Sequence, residues 1–180
     1  MARASEWTKR EQVKKRSTSD RSETDAIAML KADHRQVEGW FEEFEAAGSH
    51  SRKQELVNQI CEALRVHTTL EEEMFYPAFY EATEEEELHH EALVEHDGAK
   101  YLIGKIEASG PGNELFVAQV KVLSEMIKHH VNEEEKRDGM FAKARESEMD
   151  LEAIGHRLQA RKAELRGKKG PKLVDKLTRA

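Results

Sequence analysis

The sequence predicts an all-α protein, specifically an antiparallel up-down-up-down four-helix bundle with an additional C-terminal helix. Its 180 residues are 36% charged and only 6% aromatic, with three prolines and ten glycines, a composition that favours long amphipathic helices over sheets. Apolar residues recur at steps of three and four along four stretches, which is the period of a helix with one buried face. The connections between these stretches are short, so neighbouring helices must run antiparallel.

The first two helices are expected to begin at capping-box patterns, in which a hydroxyl residue precedes an acid or amide by three positions. Ser22 is expected to start the first helix, and Gly48 to end it. Ser51 is expected to start the second helix, and Pro77 to lie near its last turn. The partners in the two boxes are Asp25 and Gln54.

The second half of the chain is predicted in the same way. Thr83, with Glu86 three residues on, marks the start of the third helix, and the SGPGN segment at 109–113 ends it. The fourth helix is expected to start near Glu114, and a fifth to run from about Asp150 to Leu165. This fifth helix is expected either to pack across the bundle or to lean away from it.

Charge and composition divide the chain into three predicted regions. Residues 1–21 carry seven basic against three acidic residues and are expected to be a flexible basic segment. Residues 22–147 are expected to form the bundle, and 148–180 the C-terminal helix with a basic tail. Neither basic end has interleaved aromatic residues, so we expect no nucleic-acid partner, and a protein partner reached through the basic tails is the alternative.

The sequence also predicts the compartment. No apolar run approaches the length of a membrane-spanning helix, and the N-terminal segment lacks the apolar centre of a secretory signal. Cys61 is the only cysteine, which excludes an intramolecular disulfide and is typical of a reducing environment. We therefore expect a cytoplasmic protein without membrane contact.

A duplicated motif carries the predicted chemistry. One histidine falls on each apolar stripe, and the separation within the two halves of the chain is 33 and 34 residues. The second histidine of each half is followed four residues later by a glutamate, in HTTLE and HVNEE, so the pair lies on one helix face. The rise along each helix places the four imidazoles within a turn or two of one layer. The predicted metal ligands are His34, His67, Glu71, His96, His130 and Glu134.

The glutamates are the stronger signal. A single histidine on an apolar stripe is commonly an ordinary core residue, but burying a carboxylate without a partner costs several kcal/mol. Metal cations compensate such a set best. The alternative pair His129 and Glu133 is one residue out of register, and the continuous stripe Leu123, Ile127, His130, Glu134 favours His130 with Glu134.

The donor set favours iron, with manganese as the alternative. Structural zinc sites usually include cysteine, and calcium and magnesium prefer all-oxygen sites, whereas mixed imidazole and carboxylate ligands with open positions suit iron. Four acidic residues are expected to accept the outer imidazole N–H groups. These are Asp33, Glu62, Glu95 and Glu125.

These motifs, together with the stretches HTTLEEEMFYP, EALVEHDGAK and HHVNEEEKRDGMF, resemble the bacterial haemerythrin-type cation-binding (HHE) family over about residues 24–145. The resemblance implies two iron ions with a bridging oxo or hydroxo group inside a left-handed bundle. It also implies that the four histidines are terminal ligands and that Glu71 and Glu134 bridge the metals.

One departure from that pattern bears on function. Oxygen-carrying haemerythrins have a His-x-x-x-His pair on the third helix, and here the position four before His96 is Ala92. Both metals would then keep an open position, which favours reactive chemistry or labile iron over a dedicated oxygen carrier. Glu91 and Glu95 are substitute ligands to consider, and Tyr101 is a residue that could line the pocket.

The function expected from the resemblance is a non-haem di-iron protein that binds a small ligand, namely dioxygen, nitric oxide or peroxide. Oxidative or nitrosative stress, or oxygen or iron sensing, is the expected setting. Three alternatives stay open: a di-iron peroxidase or nitric oxide reductase, an iron donor or storage protein, and a metal-free interaction bundle.

Overall fold

The computed structural model describes residues 25–167, which are helical except for short connections. The two basic ends therefore lie largely outside the described residues, and so does the predicted cap Ser22. Among residues 25–167, no helix combines the length and apolar character needed to cross a lipid bilayer. The helices are α1 (Ala26–Ala46), α2 (His50–Leu70), a π-helical turn (Glu71–Phe75), α3 (Tyr76–Thr83), α4 (Glu86–Ser109), α5 (Phe116–Glu135), α6 (Met140–Glu146) and α7 (Leu151–Gly167).

The prediction of an all-α bundle is confirmed. Helix α1 packs along α2 and α4 along α5, and the two hairpins meet through contacts of α1 with α5 and of α2 with α4. Short connections join the members of each hairpin, so the polypeptide runs up and down around one central axis.

A layer of polar residues divides the interior into two apolar clusters. The first cluster fills the end of the bundle near Phe44, Ile103 and Phe116, and the second fills the opposite end near Leu30, Phe79 and Leu158. None of the buried histidines and glutamates belongs to either cluster. The six predicted ligands thus lie at the centre of the fold.

The first two predicted helix starts are wrong by a few residues. Asp25 is itself the cap of α1, because its backbone is extended and its side chain accepts a hydrogen bond from the Ala28 amide at 2.9 Å. Ser49, not Ser51, caps α2, and its hydroxyl accepts from the Arg52 amide at 3.2 Å. The capping-box spacing recurs by chance in polar segments. Tertiary packing decides which of the possible capping residues begins the helix.

The predicted start of the third helix at Thr83 is also wrong, because Thr83 ends α3. Its hydroxyl donates to the Phe79 carbonyl at 2.7 Å and accepts from the Glu85 amide at 3.3 Å. Glu84 then adopts a left-handed backbone conformation with φ of 55°, and α4 begins at Glu86.

The fifth helix packs on the bundle and does not lean away. Asp150 caps it as predicted, accepting from the Ala153 amide at 2.9 Å. Helix α7 lies against α1 and α2, and it buries Ile154 and Leu158. Two ion pairs add to this contact, from Lys162 to Asp33 of α1 and from Arg161 to Glu73 of the π turn.

The connection from α5 to α6 requires a glycine. A Cβ atom at position 139 would lie 2.3 Å from the Glu133 carbonyl oxygen and 2.8 Å from that of Glu134. The chain can therefore turn back against the end of α5 only where no side chain is present. This turn delivers α6, which the sequence did not predict, to the second apolar cluster.

We expect Gly139→Ala to lower the free energy of unfolding by roughly 1–3 kcal/mol, because the added methyl group must displace backbone carbonyls. Gly104→Ala is the matched control, since a Cβ at position 104 meets nothing within 4 Å. That variant should be stabilised by up to about 1 kcal/mol, because alanine favours helix more than glycine. Chemical denaturation of both variants tests this, and equal stabilities would contradict the close approach at Gly139.

Candidate metal centre

The structure brings all six predicted ligands together in one buried layer, in which each residue is at most 4% exposed. Helix α1 supplies one histidine, α2 and the π turn supply a histidine and a glutamate, α4 supplies one histidine, and α5 supplies a histidine and a glutamate. Two sets of converging donor atoms result. The first set is His34, His67, Glu71 and Glu134, and the second is Glu71, His96 and His130.

Each set has the spacing of ligands that share an ion. Two ligand atoms at right angles on one metal, with bonds of about 2.1 Å, lie about 3 Å apart. The Nε2 atoms of His34 and His67 are 2.9 Å apart, and those of His96 and His130 are 3.3 Å apart. Each pair of imidazole nitrogens is therefore spaced so that it could bind one ion.

Glu71 joins the two positions. Its Oε2 atom lies 3.1 Å from Nε2 of His67 and 3.3 Å from Nε2 of His96. The Oε2 atom of Glu134 lies 3.5 Å from Nε2 of His34 and 3.6 Å from Nε2 of His130, so the second carboxylate also faces both histidine pairs.

Two buried oxygen atoms in this layer lack hydrogen-bond partners, namely Oε1 of Glu71 and Oε2 of Glu134. Buried polar atoms are nearly always paired, because an unpaired one loses its hydration without compensation. Cations placed between the carboxylates and the imidazoles would satisfy both atoms. The residues present therefore fit a pair of metal ions.

An outer ring of carboxylates orients three of the imidazoles. The Nδ1 atoms of His34, His96 and His130 each lie within 2.7–2.8 Å of a carboxylate oxygen. An Nδ1–H that donates to a carboxylate leaves Nε2 free to face a metal, and it makes the imidazole a better ligand. The carboxylates are, in the same order, Glu135, Glu72 and Glu95.

This ring follows the internal repeat. The acid that precedes the first histidine of each half faces the second histidine of the same half, as Asp33 faces His67 and Glu95 faces His130. The Asp33 contact is the long one, with Oδ2 3.8 Å from Nδ1 of His67.

The acid that follows each central glutamate instead crosses to the other half. Glu72 faces His96, and Glu135 faces His34. Each hairpin therefore needs the other to orient its first histidine.

Sequence reasoning identified two of these four outer acids. Asp33 and Glu95 were predicted, but Glu62 and Glu125 are exposed, and Glu125 pairs with Lys128 at 3.2 Å. The signal that could have found Glu72 and Glu135 is the doubled acid in HTTLEE and HVNEEE. This signal is weak, because consecutive acids on a helix usually face water.

Tyr76 is a site residue that sequence reasoning missed. Its hydroxyl lies 3.0 Å from Oε1 of Glu134, 3.2 Å from Nε2 of His96 and 3.4 Å from Oε2 of Glu71. Burial, and then the charges of Glu134 and Glu71, raise its pKa well above the usual value, so the phenol keeps its proton.

The π-helical turn places Tyr76 at the site. In an α-helix, five residues at about 100° each would put Tyr76 about 140° around the axis from Glu71. Widening the turn so that the Tyr76 amide donates to the Glu71 carbonyl brings both side chains to the same side. Pro77 follows at once and has no amide hydrogen, which removes one α-helical hydrogen bond at this point.

The corresponding position of the second half is apolar. Phe141 of α6 stacks on His34, with ring centroids 5.8 Å apart and planes 10° apart. Tyr76 lies over His96 in a similar way, at 5.3 Å and 32°. One histidine pair is therefore covered by a phenol and the other by a phenyl ring.

The substitute ligands weighed from the sequence do not enter the buried layer. Glu91 is exposed and groups with Glu95 and His129 outside the centre. Tyr101 is 68% exposed, so it does not line the pocket, because its position in α4 faces away from the bundle axis. His129, the rival of His130, is also on the outer face, where its Nε2 lies 3.2 Å from Glu95.

Comparison with known proteins agrees with this geometry. The family model described as the haemerythrin HHE cation-binding domain matches residues 25–143, which is more than half of the chain. The chain belongs to this family. HHE domains bind metal cations, and the buried centre is the part of this chain that fits that property.

Two relatives show how far the likeness extends. A DNA nickase from Nostoc sp. strain PCC 7120 is 29% identical over 120 residues, covering 65% of this chain but only 33% of that protein. The chain thus spans about one third of the length of that relative. The crystal structure of an HHE domain-containing protein from Mycobacterium kansasii, an Rv2633c homolog, aligns with a TM-score of 0.66 and 24% identity. That alignment covers 79% of this chain and 88% of the other, and it shows the common fold.

The metal-free centre holds protons that a metal must displace. Burial opposes charging of His67, but the charge of Glu71 and contacts with Asp33 and Glu71 outweigh it and raise the pKa of His67 to about 10. Burial and the charge of Glu71 raise the pKa of Glu134 to about 8. Burial lowers the pKa of His34 to about 4, so its ring is neutral and accepts from His67.

We expect loading of the metal-free protein with Fe²⁺ at pH 7 to release about two protons, because only deprotonated imidazole and carboxylate bind metals. His67 and Glu134 are the sources, since their pKa values of about 10 and about 8 lie above this pH. Apparent affinity should accordingly increase from pH 6 to pH 8. Titration in weakly buffered solution with a pH indicator measures the release, and an affinity independent of pH would contradict these protonation states.

We also expect Glu72→Ala and Glu135→Ala each to weaken metal binding by about 10–100-fold, the usual effect of removing a partner of a ligand histidine. Glu62→Ala and Glu125→Ala are the matched controls, because both residues are exposed and contact no ligand. Competition with a chelator gives the four affinities. Equal values for all four variants would show that the outer ring does not support the centre.

Proposed function

We propose that this protein holds two iron ions with a bridging oxo or hydroxo group, and that this centre binds dioxygen, nitric oxide or peroxide. The observation that carries the proposal is the pair of buried donor sets that share Glu71. His34 and His67 would hold one ion, His96 and His130 the other, and Glu71 and Glu134 would bridge them.

The donors support iron as the metal. No cysteine approaches the layer, since Cys61 lies in the first apolar cluster. Four imidazoles with two carboxylates match the preference of iron, and manganese is the alternative. Bound iron would supply redox chemistry at the coordination positions that the protein leaves open.

The open positions support binding of a small ligand. Six protein donors and one bridging oxygen do not fill two six-coordinate ions. Ala92, which is buried four residues before His96, offers no further donor, so neither ion is closed by the protein. The burial of the layer excludes bulky substrates and favours ligands of a few atoms.

Peroxide or nitric oxide turnover is the second candidate, and Tyr76 is the observation that favours it. Its hydroxyl keeps a proton 3.0 Å from Glu134 inside a layer otherwise made of metal ligands. A phenol in this place can donate a hydrogen bond to a bound ligand and orient it. Iron donation or storage is less favoured, because deeply buried ligands oppose rapid exchange.

Stress response and oxygen or iron sensing remain settings for this proposal, and a sensing role would require a partner. The proposal does not include DNA cleavage, although one relative is a DNA nickase. Residues 22–154 carry 13 basic against 31 acidic residues, so the bundle repels a phosphate backbone.

We expect protein purified in air to contain about two iron ions per chain, with the near-ultraviolet absorption of an oxo-bridged ferric pair. Glu71→Ala and Glu134→Ala should each lower the iron content and the thermal stability together, since metal binding and folding are linked. Metal analysis and absorption spectroscopy test this directly.

His129→Ala is the matched control, because it removes the neighbouring histidine, 61% exposed in its side chain, and leaves the buried layer complete. It should keep the full iron content. A protein that stays metal-free after anaerobic addition of iron would refute the di-iron proposal. Unchanged iron in both glutamate variants would show that other carboxylates bind the metal.

A further inference from the structure

A line of three aromatic side chains leads from the metal centre to the surface. Tyr76 lies at the inner end, with its ring 5.3 Å from that of His96. His89 of α4 meets Tyr76 edge-on, with centroids 6.3 Å apart and planes at 89°. Tyr80 forms the outer end of the line, and its ring stacks on that of His89 with centroids 5.2 Å apart and planes at 27°.

The two phenols differ in their access to water. Tyr76 is completely buried, whereas Tyr80 is 43% exposed. They lie four residues apart on α3, and His89 reaches across from the neighbouring helix to contact both rings. The line therefore connects a dry end, which contacts His96 and Glu134, to a solvent-facing end.

His89 is held in this place by its aromatic neighbours. Its Nδ1 atom is buried and has no hydrogen-bond partner among the described residues. Burial, and then the charge of His90, lower its pKa, so the ring between the two phenols is neutral. None of the contacts described for the metal centre explains the position of His89, whose Nδ1 atom lacks a partner.

Only one half of the pseudo-symmetric centre has this feature. The aromatic ring over His34 is Phe141, and Phe141 contacts Phe75 at 5.5 Å. A phenyl ring resists one-electron oxidation far more than a phenol, which loses one electron and one proton readily. An oxidising equivalent at the centre thus meets a phenol on the His96 side alone.

We propose that Tyr76, His89 and Tyr80 form a relay that moves single oxidising equivalents from the metal centre to the protein surface. This inference rests on the proposed redox-active metal pair. It adds a further activity, in which bound metal would supply the two-electron reduction of hydrogen peroxide to two molecules of water. Two one-electron turns of the relay, each completed by a small reductant at Tyr80, would return those two electrons together with two protons.

The relay has two balanced steps. Tyr76 would give up one electron toward the centre and its phenolic proton to Oε1 of Glu134, 3.0 Å away, leaving a neutral phenoxyl radical. Tyr80 then gives one electron, across the His89 ring, to the Tyr76 radical, and Tyr76 regains its proton from Glu134. The Tyr80 proton passes to water, and one hydrogen atom from the reductant returns Tyr80 to phenol.

The chain offers an internal control, because it has three tyrosines and the third is Tyr101. Tyr101 is more exposed than Tyr80, at 68%, and its only ring contact in the described residues is with Lys105. Oxidation by radicals formed in solution would modify Tyr101 at least as readily as Tyr80. Oxidation through the relay would modify Tyr80 first.

The test uses iron-loaded protein treated with one equivalent of hydrogen peroxide and a nitroso spin trap. Peptide mass spectrometry locates the trapped radical, and electron paramagnetic resonance of rapidly frozen samples detects the phenoxyl. We expect the label on Tyr80 in the wild-type protein. Tyr76→Phe and His89→Leu should each lose that label, Tyr80→Phe should retain a phenoxyl signal from Tyr76, and Tyr101→Phe should match the wild type.

Three results would overturn the relay. These are a Tyr80 label that survives in either Tyr76→Phe or His89→Leu, labelling of Tyr101 ahead of Tyr80, or iron-loaded protein that consumes peroxide without any labelled tyrosine. Iron content, measured in parallel on every sample, separates the two proposals. Full iron without a Tyr80 label refutes the relay alone, and protein that takes up no iron refutes the metal centre together with the relay.

Discussion

Two carboxylates and four imidazoles buried in the middle of an apolar bundle constrain everything else in this fold. Burial of such groups is unfavourable unless each finds a partner, and the cost grows when two acids lie side by side. The metal-free protein meets part of this cost by keeping Glu134 protonated while His67 carries the charge that compensates Glu71. Unpaired oxygen atoms remain on both glutamates, and cations are the partners that would satisfy them.

The internal repeat explains how one chain supports such a layer. Each hairpin contributes a histidine and a His-x-x-x-Glu-Glu segment, and the last glutamate of each segment orients the first histidine of the other hairpin. This exchange couples assembly of the site to docking of the two hairpins. Neither hairpin alone can complete the outer ring of carboxylates, so the polar layer favours the native pairing over other arrangements of amphipathic helices.

The two halves diverge where each glutamate-bearing helix passes the centre. In the first half a π-helical turn continues into α3 and presents Tyr76, whereas in the second half the chain turns at Gly139 and presents Phe141. Helix α7 adds to the difference, because its Lys162 pairs with Asp33 beside His67 and its Arg161 pairs with Glu73 of the π turn. A symmetric frame thereby encloses two histidine pairs with unlike surroundings.

The sequence by itself determined the bundle, the duplicated motif and the six residues that meet at its centre. Helical periodicity fixes which residues share a face, and a carboxylate repeated on an apolar face has few other physical explanations. Tyr76, Glu72 and Glu135 were decided only by the tertiary structure. The π turn changes the register after Glu71 in a way that no α-helical pattern encodes, and a second consecutive acid becomes buried only when the opposite hairpin supplies the histidine it faces. The exact caps at Asp25 and Ser49 belong to the same class, because several polar residues near each helix start satisfy the local rule and packing selects one of them.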